Sequence, residues 1–85
     1  MPPRFELEVH LFASVREAVG RDRVRVALDA PARAADLLDG LAREHPAIAA
    51  ARRSLAVAVN QAIVGPDHAL APGDEVALIP PVGGG

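Results

Sequence analysis

The chain has 85 residues, about half of them apolar, only two aromatics (Phe5 and Phe12) and a formal charge of −2. That length allows one small domain with an aliphatic core, burying a little over ~60% of its unfolded surface, and the charge gives no electrostatic case for nucleic acid or an anionic membrane. Without cysteine there is no disulfide, zinc–thiolate site or thiol nucleophile; with no membrane-length apolar run and no signal-peptide core, a cytoplasmic setting is expected.

Phe5 to Phe12 alternates, with Phe5, Leu7, Val9 and Leu11 on one face and Glu6, Glu8, His10 and Phe12 on the other. This predicts a half-buried strand. His10, flanked by carboxylates, reads as a solvated residue, since no second metal ligand stands at suitable spacing. Ser14-Val15-Arg16-Glu17 has the spacing of a capping box and predicts a helix start there. Gly20 is expected to stop that helix after little more than one turn. Arg23 to Leu28 is a second alternating strand, with Val24, Val26 and Leu28 inward. Arg21, Arg23 and Arg25 form a basic stripe, read as a solvated face or, alternatively, a partner contact.

Asp29-Ala30-Pro31 is expected to turn the chain into the main helix, with Pro31 at an early helical position. Ala34, Leu37, Leu38 and Leu41 recur at helical spacing, while Asp36, Asp39, Arg43 and Glu44 cover the outer side. Gly40 costs this helix about 1 kcal/mol against alanine, and Pro46 ends it just after His45. Residues 47–53 suggest another helical turn. Leu55 to Asn60 reads as a third strand, Asn60-Gln61 as a turn and Ala62-Ile63-Val64 as a short strand. Gly65-Pro66-Asp67 and Pro72-Gly73-Asp74 are turn sequences on either side of a 68–71 connector. The Asp67 carboxylate is expected to accept hydrogen bonds from nearby backbone amides. Glu75 to Ile79 is the final strand, stopped by Pro80 and Pro81, which cannot donate to a ladder. The order predicts an α+β domain of two layers, with one main helix laid across a mixed sheet.

Enzymatic constellations are nearly lacking. Ser14 and Ser54 are the only serines, and neither lies in a nucleophile elbow. The glycines at 83–85 follow a strand, so they are not a phosphate-cradling loop before a helix. There is no aromatic platform for single-stranded nucleic acid. By elimination, the distinctive group is the carboxylate of Gly85. Its tail reads either as a frayed end or as a slender probe aimed by Pro80 and Pro81. The four residues after Pro81 could reach about 13–14 Å and enter a channel too narrow for any Cβ.

All nine basic residues are arginine. One reading is compositional drift, since alanine and arginine are abundant together. The other is that a chain with an activated acyl end benefits from lacking its own amines, because guanidinium stays protonated and does not attack acyl groups.

The residues resemble the ubiquitin-like sulfur carriers, and most closely the small subunits of molybdopterin synthase (MoaD-like, within the MoaD/ThiS family). The resemblance is carried by Leu11-Phe-Ala-Ser-Val-Arg-Glu-Ala-Val-Gly20, Ala35-Asp-Leu-Leu38, Val57-Ala-Val-Asn-Gln61 and Asp67-His68. Its most specific part is Pro72-Gly-Asp-Glu-Val-Ala-Leu-Ile-Pro-Pro-Val-Gly-Gly-Gly85. It implies a β-grasp fold of four to five strands, with the first and last strands parallel at the sheet centre. The domain would span residues 1–82 and a flexible reactive tail 83–85. It also implies a mechanism. An E1-like (MoeB-like) enzyme uses ATP to adenylate Gly85, a persulfide donor converts it to a thiocarboxylate, and the tail enters a MoaE-like large subunit to give sulfur to a pterin precursor. The chain is then a non-catalytic, sulfur-donating subunit that binds no cofactor or metal itself. Gly84 and Gly85 match the family's terminal pair, Gly83 is a substitution before it, and Pro80, Pro81 and Val82 are the implied partner interface. Arg33 stands where the family often places a capping threonine, which predicts a weaker helix start. Leu78 and Ile79 stand where the partner face usually carries aromatics. The alternatives are a carrier for thiamine or tRNA thiolation, a ubiquitin-like protein modifier, or an interaction domain with an inert tail.

Overall fold

The computed structural model describes residues 3–81. The expectations for Val82, Gly83, Gly84 and Gly85 therefore lie outside the described residues. Strand β1 (Arg4–Leu11) leads through helix α1 (Ala13–Val19) into β2 (Arg23–Asp29). A two-residue strand β3 (Ala32–Arg33) precedes the main helix α2 (Ala34–Glu44), which is followed by α3 (Pro46–Ala51) and a 3₁₀ turn (Arg52–Ser54). Strands β4 (Ala56–Val59), β5 (Ala62–Val64), β6 (Ala69–Leu70) and β7 (Val76–Ile79) complete the chain.

Five strands form one mixed sheet in the order β2-β1-β7-β4-β5. β1 and β7 run parallel at its centre, with Val9 opposite Val76 and Leu11 opposite Leu78. All other pairs in the sheet are antiparallel. This is the expected β-grasp. The small pair β3–β6 stands apart, so the segment read as a bare connector at 68–71 supplies a strand.

Alternation explains which face is buried. Leu7, Val9, Leu11, Val24, Val26, Leu28, Val57, Val59, Val76 and Leu78 all point to the helical layer and are at most 6% exposed. Ala34, Leu37 and Leu41 of α2 and Ile48 of α3 meet them with no exposed surface. Gly40 allows this close approach: a Cβ there would stand 3.0 Å from Val26 Cγ2. Its helix-propensity cost is therefore offset by tight packing against β2.

Two helix starts differ from expectation. The first bond of α1 runs from the Arg16 N–H to the Phe12 carbonyl (3.3 Å), so Phe12 is the cap and makes no side-chain cap bond. Ala13 turns the chain with φ 51°, which puts Ser14 inside the first turn, and the Ser14–Glu17 capping box does not form. Gly20 does end the helix, in the left-handed region at φ 83°, with its N–H bonded to the Arg16 carbonyl.

Pro31 likewise lies outside α2, because the extended pair β3 intervenes. Arg33 caps α2 without threonine chemistry. Its N–H donates to Asp36 Oδ2 (2.8 Å), and the next two amides donate to loop carbonyls, Ala34 to His68 (2.9 Å) and Ala35 to Pro66 (3.0 Å). The Arg33 guanidinium donates to the Asp67 carbonyl (3.0 Å). Asp67 thus contributes its main-chain carbonyl where the sequence suggested its carboxylate. Helix donors that a threonine would partly satisfy are met instead by a loop more than thirty residues on, so the start is not weak.

Candidate docking face and tail exit

The outer face of the sheet, opposite the helices, divides into two halves. Across β1 and β2 it is charged: Arg23 pairs with Glu8 (3.3 Å) and Arg25 with Glu6 (4.0 Å). These exposed pairs are worth at most about 1 kcal/mol each. They make Arg23 and Arg25 part of a solvated face, as the sequence suggested.

The other half is apolar. The register sets one row across the sheet: Ile63 beside Ala58, Ala58 beside Ala77, Ala77 beside His10, and His10 beside Arg23. Two alanines at the centre of that row make a low floor between taller neighbours. Phe12 and Ile79 close the trough at the end where β7 leaves the sheet, and Gln61 and Glu75 stand at the opposite margin. The trough encloses about 480 Å³ and is open to solvent along its length. His10 is half-buried in its wall rather than solvated. Phe12 is 47% and Ile63 65% exposed, the only large hydrophobic side chains so open among the described residues.

Leu78 and Ile79 separate here. Leu78 is fully buried against the helices, whereas Ile79, two positions along from Ala77, lies on the outer face and lines the trough. Strand alternation requires that split. Pro80 is half-buried and Pro81 exposed, directly after Ile79. Both therefore continue from the apolar trough, whereas Val82, Gly83, Gly84 and Gly85 lie beyond the described residues. The structure brings Phe12, Ala58, Ile63, Ala77 and Ile79 together in one trough, residues that sequence reading did not connect, and Pro80 and Pro81 follow directly on Ile79.

A polar clasp fixes the strand that aims this exit. Asn60 and Gln61 both have positive φ (50° and 72°), turning β4 into β5. Asn60 Nδ2 donates to Asp74 Oδ1 (3.1 Å), and the Glu75 N–H donates to Asn60 Oδ1 (3.0 Å). The Asn60 N–H donates to the Glu75 carbonyl (2.8 Å), and Asp74 Oδ2 accepts from the Ala71 N–H (2.8 Å). The clasp ties the loop before β7 to the β4–β5 turn and so sets the register of the last strand.

A β-grasp sheet with a central parallel pair, an apolar outer trough and a last strand that runs out through two prolines is a ubiquitin-like domain. Residues 9–85 match the ThiS family. The chain is 44% identical to the molybdopterin synthase sulfur carrier subunit of Escherichia coli, covering 93% of this chain and 99% of that protein. It is 38% identical to the protein of the same description from Chlamydomonas reinhardtii, over 94% and 99% of the two chains. The crystal structure of SAMP1 from Haloferax volcanii superposes with a TM-score of 0.81 at 37% identity, covering 94% of this chain and 99% of that one. The chain belongs to the ThiS family.

Proposed function

We propose that this chain is the sulfur-carrier subunit of a molybdopterin synthase. On this reading Gly85 is adenylated by an activating enzyme that consumes ATP, and it then becomes a thiocarboxylate by taking sulfur from a persulfide donor. A carboxylate is a poor acyl donor, and adenylation with loss of pyrophosphate supplies a leaving group. The terminal sulfur of the persulfide displaces AMP at the carbonyl carbon to give an acyl disulfide. A thiol then cleaves the S–S bond, releasing the thiocarboxylate as a disulfide forms between that thiol and the donor. Gly83 and Gly84 carry no side chains, so the tail passes through a channel in the large subunit that any Cβ would obstruct. The trough floored by Ala58 and Ala77 docks an apolar ridge of the partner, and Pro80 and Pro81 hold the tail in line with it.

The observation that carries this reading is the continuity of the apolar trough with the strand end that bears the Pro-Pro-Val-Gly-Gly-Gly sequence. Near-complete coverage of relatives described as molybdopterin synthase sulfur carrier subunits supports the choice of acceptor. The test is complementation of a bacterial strain that lacks its own small subunit, read as activity of a molybdenum enzyme. The chain is expected to restore activity and the Gly85-deleted chain to restore none. Restoration by the deleted chain, or none by either with normal expression, refutes the proposal.

The likeness to SAMP1 favours a second reading, in which the activated glycine is transferred to amines of other proteins. In that case Gly85 is recovered in isopeptide linkage to lysines of target proteins, and the thiocarboxylate is not the end product.

A further inference from the structure

We infer that the free edge of β2 pairs with the same edge of a second copy of this chain, joining two sheets into one across a two-fold axis at Val26. β2 is an outer strand of the five-stranded sheet, and no strand among the described residues lies beyond it. It is seven residues long and follows β1 without a bulge from Arg23 to Asp29, with no proline or glycine in it. Edges of that length are usually blunted by a bulge, a proline or a covering segment, because they template pairing with another chain.

The ladder decides which main-chain groups are left over. At its two ends the Leu11 N–H donates to the Asp22 carbonyl and the Ala30 N–H to the Pro3 carbonyl (2.8 Å each). Both bonds lie in the register that pairs Val9 with Val24 and Leu7 with Val26. Main-chain groups alternate in direction along an antiparallel strand. Asp22, Val24, Val26, Leu28 and Ala30 therefore bond to β1, and the N–H and C=O of Arg23, Arg25, Ala27 and Asp29 point away from the sheet.

Those four residues restrict what can pair there. Between two antiparallel copies an outward group must meet an outward group, so the axis passes through a residue and not between two. An axis at Val26 uses the whole strand. Arg23 then faces Asp29 of the second copy at both ends, Arg25 faces Ala27 on the exposed side, and Val24 faces Leu28 on the core side. Opposite charges set directly across from each other favour that register. An axis at Arg25 would set Arg25 against itself, and one at Ala27 would carry Arg23 past the strand to Pro31. With the axis at Val26, Arg25 and its copy lie on a diagonal about 7–8 Å apart, where each already leans on Glu6 (4.0 Å). The interface falls below about 1,200 Å², in the range of transient contacts, so the dimer is weak. It extends the sheet sideways and leaves the trough between His10 and Ile63 uncovered.

The test follows the full chain by sedimentation equilibrium and amide hydrogen exchange at low salt, up to about 1 mM protein. A dimer is expected to grow in with concentration, slowing exchange selectively at the amides of Arg23, Arg25, Ala27 and Asp29. Ala27→Pro removes an outward donor and no bond to β1, so the monomer should stay folded while the dimer is lost. Asp29→Arg and Arg23→Asp should each weaken self-association at least about tenfold, because each sets like charges against one another at both ends. Mixed in equal amounts, those two variants should associate with each other at close to the strength of the unaltered chain. A chain that stays monomeric to about 1 mM overturns the proposal and leaves the edge to a strand of another protein. A dimer that Ala27→Pro leaves intact, or charge variants that stay apart when mixed, overturn it as well. None of these measurements involves Gly85, so the result is independent of the sulfur-carrier function.

Discussion

Replacing Asn60 with alanine tests how firmly the last strand is set. The side chain makes two bonds, to Asp74 Oδ1 and from the Glu75 N–H. Both are exposed, so each contributes about 0.5–1 kcal/mol after competition with water. Asn60 also sits at φ 50°, where asparagine is tolerated and alanine costs roughly 1 kcal/mol or more. The sum for Asn60→Ala is about 2–3 kcal/mol. At about 4–8 °C per kcal/mol for a chain of this size, Tm falls by roughly 8–24 °C. Asn60→Gly keeps the backbone conformation and loses only the bonds, so its cost is about 1–2 kcal/mol. Denaturant titration of both variants at one pH separates the contributions. Equal losses for alanine and glycine would refute the backbone part of the reasoning, and a loss below about 0.5 kcal/mol for both would refute the clasp itself.

Ser14→Ala should change stability by less than about 0.5 kcal/mol, since Ser14 lies within the first turn of α1; a loss near 1 kcal/mol by denaturant titration would restore the capping box. Ile63→Asp places a charge in the trough wall at a site 65% exposed. Tm should stay within a few degrees, while calorimetric affinity for the large synthase subunit falls at least roughly tenfold, the weight of one lost apolar contact and one unpaired charge. Unchanged affinity would remove the trough from the interface.

Much of this fold was written in local pattern. The alternation in Phe5–Leu11 and Arg23–Leu28 put the right residues inward, Gly20 marked a helix end, and the Ala34-Leu37-Leu41 spacing marked the main helix and its buried stripe. Parallel pairing of β1 with β7 came from the family resemblance, because strand order depends on contacts some seventy residues apart in sequence. What was missed was also non-local. The amides of α2 are met by carbonyls at 66 and 68, and nothing near Arg33 announces that. Ser14–Glu17 has the letters of a cap, but Ala13's backbone turn decides where the helix begins. The trough was invisible because its floor is two alanines, which signal nothing until the register places Ala58 beside Ala77. Leu78 and Ile79 were read as one face although alternation already divides them.

The proposed function stands on sulfur carriage by Gly85. The most direct measurement is the intact mass of the chain after incubation with ATP, its activating enzyme, a persulfide donor and a thiol reductant, beside a Gly85-deleted control. A gain equal to exchanging one oxygen for one sulfur is expected, present in the full chain and lacking in the control. An unchanged mass with enzymes proven active on another carrier would contradict it.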